Sequence, residues 1–529
     1  MKTGLKRGLL CTLAGLTALA PLSSCGKKNK IKDTETNVIM QLYLGGFGSE
    51  GFEAVKKRFE EIYAEEGYTV TIIPGAHLVG KQVTDTLQLG PTITKTDLFF
   101  GGGFDHKPVV AQGKSFLQDA TVDCALEDLT QLYESKVYGE NVTLKDKMFS
   151  DFANYSSYEG KYWTVSWNAS ITGLLYNADL FEVAGETELP RTSDELLALV
   201  ERIKDRKEIP FTFTGKASYW EYCALPWWRQ FASDEEVEDF WNCLNASGEE
   251  SPDVFKSHAR LQAFKIVEAC IGDADNFNER ALKDTHIEAQ TRFYDGTEKI
   301  WMMPSGSWAE NEMSLNGYKA GKKDIGMMRV PVSSSVIYTD VDKTNYRFET
   351  VRDDAKLSEV VKAVDEGKTG VEGVAATEFE AIKKMRRYVS TEGYASSVVI
   401  PSYANAKEAA KKFLLFLASD EAGQIYYDAT KTYLPFNTSN IKTGDTPTRF
   451  QSDVRKIMKD VSFVSKYDSK NPLFFMTDMT FTSNQKFMDL SMATTETSEK
   501  MTAEKWMDYI HRYVSENFDS YQSLANAVK

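Results

Sequence analysis

Histidine is scarce: five in 529 residues, with His77, His106, His258, His286 and His511 scattered along the chain. None forms a His-Glu-x-x-His pair, so a zinc-protease helix is excluded. No Gly-x-Ser-x-Gly elbow is present either, since Phe47 stands where the first glycine before Ser49 would be. A Gly-x-x-x-x-Gly-Lys-Ser/Thr phosphate loop is also missing. Cysteine is nearly as rare, six in all, and no pair shows zinc-ligand spacing. Positive charge is in deficit, with 62 basic residues against 77 acidic ones. A body this acidic repels phosphate backbones and excludes nucleic acid as a partner. Beyond the N-terminus no apolar run reaches the length of a membrane-spanning helix. There is no internal repeat and no low-complexity block. Nothing here calls for a cofactor or a metal.

What is present begins with a targeting segment, residues 1–24. Lys2, Lys6 and Arg7 lead into an apolar run from Leu9 to Ala20, too short to span as a mature helix. Without this segment the net charge moves from −15 to −18. Leu22-Ser23-Ser24-Cys25 follows and resembles the bacterial lipobox, with Cys25 the residue to be acylated. Residues 25–36 are polar and read as a tether. The body is therefore expected outside the cytoplasm, held to the outer face of a bacterial cell membrane. Cys124, Cys223, Cys243 and Cys270 remain, enough for two disulfides or four free thiols.

The body opens on a near-continuous apolar strand, Val38–Leu44, of the kind buried on both faces of a parallel sheet. A helix with Phe52, Val55, Phe59 and Ile62 on one stripe comes next, then strands at Tyr68–Ile73 and Thr96–Phe100. This alternation predicts a doubly wound α/β sheet. Gly46-Phe47-Gly48-Ser49-Glu50-Gly51 matches the form of a dinucleotide fingerprint. The second strand ends in Ile73-Pro74-Gly75, however, with no acid for a ribose hydroxyl. The stretch reads instead as a tight turn at a helix N-terminus, whose N–H groups can hold a hydroxyl or an anion.

Gly160–Phe181 is the organising stretch. Two β-branched and aromatic runs, Tyr162–Trp167 and Ile171–Tyr176, flank the polar link Asn168-Ala169-Ser170. A strand, a polar break and another strand suit a crossing between two lobes, with Trp167 and Asn168 at the floor of a cleft. Thr192 and Glu195 have capping-box spacing at the start of a helix carrying Leu196, Val200 and Ile203. An aromatic cluster follows: Tyr219, Trp220, Tyr222, Trp227, Trp228 and Phe231. Residues 233–295 read as helical, and Lys299–Trp308 echoes the first crossing with a strand, a glycine turn and a helix start. In 333–393, Leu357–Val364 and Glu378–Val389 read as helices. Val398–Pro401 is a short strand, Ala406–Ala418 and Asp420–Ala429 are helices, and the tail puts Trp506, Tyr509, Ile510 and Tyr513 on one helical face. Aromatic faces with Asp, Asn and Gln nearby suit a sugar, whose hydroxyls must not be left unpaired when buried.

The Cys25 motif, Tyr162–Phe181 with its Gly-Leu-Leu-Tyr-Asn-Ala-Asp-Leu-Phe, Pro190–Leu197, Trp301–Trp308, and Ile400-Pro401 followed by Ala409–Ala422 together resemble one family, the type 1 extracellular solute-binding proteins of ABC importers, the maltose-binding-protein-like group. The resemblance spans 37–529. It implies an α/β, two-lobed periplasmic-binding-protein-like fold, each lobe a mostly parallel sheet flanked by helices, with hinge strands between. Residues 37–170 and 303–405 would form the N-terminal lobe, and 176–300 and 406–529 the C-terminal lobe. The segment 333–393 is longer than compact members need.

The ligand contacts it implies are Phe47, Ser49 and Glu50 after the first strand, and Phe104 and Asp105 after the third. Trp167 and Asn168 at the crossing join them, with Trp220, Trp227, Trp228, Trp308 and Tyr433. No catalytic residue is implied. The implied partners are a carbohydrate, ABC permease subunits and the lipid membrane reached through Cys25, the protein itself being a monomer. A lipid-anchored glycan hydrolase stays open, because paired carboxylates are spatial and not sequential. So does a binder of a peptide or polyamine.

Overall fold

Asn37–Tyr43 is buried along nearly all its length and pairs in parallel with Thr69–Gly75 on one side and Leu98–Phe100 on the other. Ser397–Val399 joins antiparallel to Leu98–Phe100, and Val165–Ser166 closes the five-stranded sheet antiparallel to Ser397–Val399. A strand covered on both faces has no polar side to show, which is why Val38–Leu42 reads as nearly unbroken apolar sequence. The computed structural model describes residues 31–529 apart from 76–77, 118–121, 320, 341, 439–440, 443, 445, 484, 492–500 and 529. The targeting segment, Cys25, the tether as far as residue 30, and His77 lie outside the described residues. The unit that carries the fold is Asp33–Lys529.

The second sheet has four strands in the order Ile325–Met328, Thr172–Asn177, Ile300–Gly306, Ile209–Phe211. Thr172–Asn177 runs against both neighbours, while Ile209–Phe211 is parallel to Ile300–Gly306. Each sheet is therefore mixed and not mostly parallel as expected: a single reversed strand, Ser397–Val399 in the first and Thr172–Asn177 in the second, makes two antiparallel pairings in each. Val165–Ser166 ends in the first sheet and Thr172 begins in the second, so the polar break at Asn168–Ser170 is where the chain passes between them. Tyr388–Ser390 pairs with Ser462–Val464 in a small parallel ladder, and the chain re-enters the first sheet at Ser397.

Helix Glu50–Ile62 buries Phe52, Val55 and Phe59 on the first sheet, each worth about 1.5–3 kcal/mol relative to exposure. Phe413 and Leu414 of helix Lys407–Leu417, and Tyr426 of helix Asp420–Thr430, share that core. Buried Asp97 fixes the arrangement: its carboxylate accepts the backbone N–H of Ile39, Asn405 and Ala406, each at 2.9 Å. In the second core Leu196, Val200 and Ile203 of helix Ser193–Asp205 pack with Trp227 and Trp506. The capping box forms as the sequence predicts, Thr192 Oγ1 accepting the Glu195 N–H at 3.2 Å.

These placements differ from the expected lobe boundaries in two ways. Met303–Gly306 and Ile325–Met328 lie in the stretch assigned to the N-terminal lobe, yet both belong to the second sheet, and the segment after them is tied to helix Ser193–Asp205 on that side. The helices from Lys407 to Thr430 lie in the stretch assigned to the C-terminal lobe, yet they pack on the first sheet. Strand partners and the sheet a helix covers are long-range facts, and amphipathic periodicity is silent on both.

The segment 333–393 builds a small core of its own from Val336, Phe348, Leu357, Val360, Val361, Phe379 and Ile382. Its helices, Asp354–Asp365 and Ala376–Arg387, fall where periodicity puts them. Thr192 Oγ1 donates to Asp354 at 2.8 Å and Ser358 Oγ to Glu195 at 2.5 Å, tying the segment to helix Ser193–Asp205. The last helix, Ala503–Asn526, buries Trp506, Ile510 and Val514, but Tyr509 is 46% exposed and so leaves the predicted stripe. Cys124, Cys223, Cys243 and Cys270 are free thiols. Among the described residues no helix is long and apolar enough to cross a membrane, and no cluster of three His, Cys, Asp or Glu could hold a metal.

Candidate functional site

Two segments, 167–172 and 390–397, pass between the two sides and bond to each other and to the end of strand Ile300–Gly306. The second crossing expected at Ile300–Trp308 is not one, because the chain returns from it to the second sheet at Ile325–Met328. Ile171 accepts the Ser307 N–H at 2.8 Å and donates its own N–H to Ser307 Oγ at 3.2 Å. Thr172 Oγ1 donates to Ser390 O at 3.0 Å, Thr391 Oγ1 to Ser170 O at 2.6 Å, and Trp167 N–H to Ser396 O at 3.0 Å. The first crossing is thus held by Ile300–Trp308 on one side and 390–397 on the other.

Above this floor, at the carboxyl ends of the parallel strands, lies a cavity of about 290 Å3. Open α/β sheets place their ligand crevices at that edge. Tyr43, Gly46, Phe47, Val79 and Gly102 come from the first sheet's loops, and Asn168, Ser170, Glu392 and Ser396 from the crossings. Tyr219, Tyr222, His286, Trp308 and Glu312 close it from the second sheet's side. Trp308 meets Tyr222 edge to face, with ring centroids 5.9 Å apart, and Tyr219 lies 4.8 Å from Tyr222. Rings at this spacing form a continuous apolar wall with polar rims.

Two glycines let the aromatics approach the backbone. Gly46 has φ +73°, and a Cβ there would sit 3.2 Å from Trp308. At Gly102 a Cβ would come within 2.6 Å of the Tyr43 ring. Alanine at either position would push an aromatic wall residue out of place.

The polar groups are mostly acceptors. Asn168 Nδ2 donates to Ser396 Oγ at 3.4 Å, and the buried Ser170 Oγ has no partner among the described residues. Glu312 Oε2 accepts from Gln290 Nε2 at 2.7 Å, and the His286 Nε2 lies 3.7 Å from Oε1. Burial raises the Glu312 carboxyl above its ordinary range, outweighing Gln290 and His286. Glu392 pairs with Lys466 at 3.0 Å, and Lys466 also reaches Glu221 at 3.4 Å. Burial works against the Lys466 charge, but Glu392, Tyr467 and Glu221 outweigh it and hold the ammonium well above its usual range. The Tyr43 hydroxyl is raised by burial and then by Glu312 and Glu392.

Of the residues singled out from sequence, Phe47, Asn168 and Trp308 come together on this cavity. The others lie elsewhere. Trp167 is fully buried beneath the floor, its Nε1 donating to Gly101 O at 3.1 Å and its ring edge-on to Phe47. Trp220, Trp227 and Trp228 fill the second core: Trp220 against Phe211, Trp227 donating to Pro331 O at 3.0 Å, Trp228 against Trp241. In their place Tyr219 and Tyr222, from the same cluster, face the cavity. An indole gains more from full burial than a phenol, whose hydroxyl needs a polar rim.

Ser49 stands at the N-cap position of helix Glu50–Ile62 without a side-chain cap bond, and Glu50 is exposed in its first turn; neither lines the cavity. Phe104 packs among Leu78, Val83 and Val399. Asp105 accepts the Lys107 N–H at 3.1 Å and pairs with its ammonium at 3.2 Å. Tyr433 gives its backbone carbonyl to Ala169 N–H at 3.1 Å, while its ring stacks towards Tyr427 on a separate cavity. Sequence reading passed over Tyr43, Glu312 and Glu392. For Glu312 a signal existed, since it stands four residues after Trp308 on the helix that begins there.

Comparison with known proteins agrees with this architecture. Residues 105–454 match the family described as bacterial extracellular solute-binding protein. The diacetylchitobiose binding protein NgcE of Streptomyces coelicolor is 25% identical over 228 residues, 43% of this chain and 44% of its own. A multiple sugar-binding protein of Streptococcus mutans is 24% identical over 317 residues, 58% of this chain and 66% of its own. The chain thus spans less than two thirds of either relative. A solved chitin oligosaccharide binding protein superposes with a TM-score of 0.57 at 16% identity, covering 93% of this chain and all of that one. The fold is the two-lobed α/β architecture of these proteins, and the chain belongs to the bacterial extracellular solute-binding protein family.

Proposed function

We propose that this protein is the substrate-binding component of an ABC importer and captures a carbohydrate, an oligosaccharide by the breadth of its aromatic wall. The carrying observation is that aromatic faces and hydrogen-bonding groups from both sheets meet in one cavity over two chain crossings tied to each other and to Ser307. Sugar rings present apolar faces for Trp308, Tyr219, Tyr222 and Phe47, and hydroxyls for Asn168, Ser170, Glu312, Glu392 and Ser396. The sugar-binding relatives support the substrate class.

On this reading one lobe comprises the first sheet with the helices to Thr430, and the other the second sheet with 333–390 and the tail. Ligand touching both lobes favours the closed arrangement by its difference in affinity for the two states. The closed protein then delivers the sugar to membrane permease subunits, with Cys25 acylated and holding the chain to the membrane's outer face. The protein binds and releases its sugar without chemistry.

Calorimetry against neutral malto-, cello-, xylo- and chito-oligosaccharides tests this. Binding at micromolar Kd with the sugar recovered intact is expected. No binding at millimolar sugar, or tight binding of a peptide or polyamine instead, contradicts it, and cleavage of a bound glycan would make the protein a hydrolase.

A further inference from the structure

Among the described residues lining the cavity there are two carboxylates, Glu312 and Glu392, and no lysine or arginine. Lys466 lies behind Glu392 and is already shared between Glu392 at 3.0 Å and Glu221 at 3.4 Å, so it is not a receptor for an incoming anion. Glu392 and Glu221 thus share one ammonium, and Glu312 lines the cavity without one. His286, with its side chain 45% exposed, stands at the mouth beside Glu312.

Glu312 itself is 7% exposed, and a buried carboxylate must find donors. Gln290 supplies one, to Oε2, while Oε1 has His286 3.7 Å away, beyond hydrogen-bond length. The unpartnered Ser170 Oγ lines the same cavity and is 98% buried by its residue's 2% exposure. Both observations describe a site whose polar groups await donors from a ligand. Tyr43, Tyr219 and Tyr222 add ring faces, which attract cations and offer an anion nothing.

We propose that Glu312 is the charge-selectivity residue of this cleft, admitting saccharides that bring hydroxyl, amide N–H or ammonium donors and rejecting carboxylated ones. This deepens the carbohydrate reading and rests on it. A sugar carboxylate in the cavity would face Glu312 and Glu392 at low effective dielectric, with no lysine or arginine in the lining to pair with. An ammonium would meet two carboxylates and an aromatic wall. Gln290 acts as a positioning residue, aiming the Glu312 carboxylate.

The test is equilibrium binding by wild type and Glu312→Gln of three tetramer sets: neutral gluco-, xylo- and N-acetylglucosamine tetramers, the glucosamine tetramer, and galacturonate and glucuronate tetramers. Wild type is expected to bind its tightest neutral or amino tetramer about 100-fold or more tightly than either uronate. Glu312→Gln should narrow that ratio by about tenfold, the neutral tetramers losing affinity with the carboxylate that accepts their hydroxyls and the uronates losing less or gaining. Uronate binding as tight as the best neutral tetramer overturns the selectivity while leaving the carbohydrate reading intact. An equal loss for every tetramer in Glu312→Gln makes the residue merely structural and also overturns it. If no tetramer of any set binds, the carbohydrate reading itself falls and takes this proposal with it.

Discussion

Trp308 is the side chain on which the cleft turns. It stands at the start of helix Ala309–Leu315, lies against Gly46 and meets Tyr222, so it touches the loop after the first strand and helix Glu221–Phe231 while lining the cavity. Replacing it with alanine removes a stacking surface and should weaken a bound oligosaccharide by about 1–3 kcal/mol. Calorimetry checks this, and unchanged affinity with lowered stability would make Trp308 a core residue.

His106 carries a different prediction. It is fully buried, edge-on to Tyr155, and neither ring nitrogen has a hydrogen-bond partner among the described residues, Asp105 Oδ1 standing 4.0 Å from Nδ1. Burial, then Lys107 and Lys470, hold its pKa well below the usual histidine range. The folded state therefore keeps it neutral while the unfolded chain takes a proton below about pH 6.5. Stability is lost as pH falls through that value. Buried carboxylates with raised pKa, such as Glu312 and Glu221, act in the opposite sense, but they are common to wild type and variant. Urea midpoints at pH 7.5 and 5.5 should fall less in His106→Gln than in wild type. Equal falls would refute the assignment.

At the scale of elements, what was legible is what local pattern encodes. The strand at Asn37–Tyr43, the stripe of Glu50–Ile62, the capping box at Thr192 and the break at Asn168–Ser170 are all visible because a period of 2 or 3.6, or a polar interruption, marks them. Phe47, Asn168 and Trp308 were legible for the same reason, sitting where those marks end. Trp220, Trp227 and Trp228 were not, because which face of helix Glu221–Phe231 meets the cleft depends on the sheet it covers. Glu312 and Glu392 are 80 residues apart and meet only through folding.

Arg260 shows how strongly a remote contact can bind elements. Its guanidinium is fully buried among the rings of Phe240, Phe255, Phe264 and Phe481 and donates to the carbonyls of Phe255 and Phe481. Burial lowers its pKa to about 9. Arg260→Ala would strand two carbonyls and leave a void, costing about 2–4 kcal/mol. Chemical denaturation measures it, and an unchanged midpoint would mean the ring cage holds without its cation.

For the whole molecule, the account joins an anchor, a hinge and a cleft. If Cys25 is acylated, Cys25→Ala should move the protein from the membrane fraction to the medium or periplasm, with no loss of sugar affinity. Retention in the membrane fraction would refute the anchor. On the proposed reading the hinge is the pair of crossings at Asn168–Thr172 and Ser390–Ser396, bonded to each other and to Ser307. Because they are short and parallel in space, the lobes can rotate about them without breaking either sheet. The central claim is that a carbohydrate binds between the lobes and shifts them together. Small-angle scattering of the protein, with and without a saturating oligosaccharide that binds in the calorimeter, reads this directly. A smaller radius of gyration in the saturated state is the result expected; an unchanged radius at saturation would contradict closure on an inter-lobe ligand.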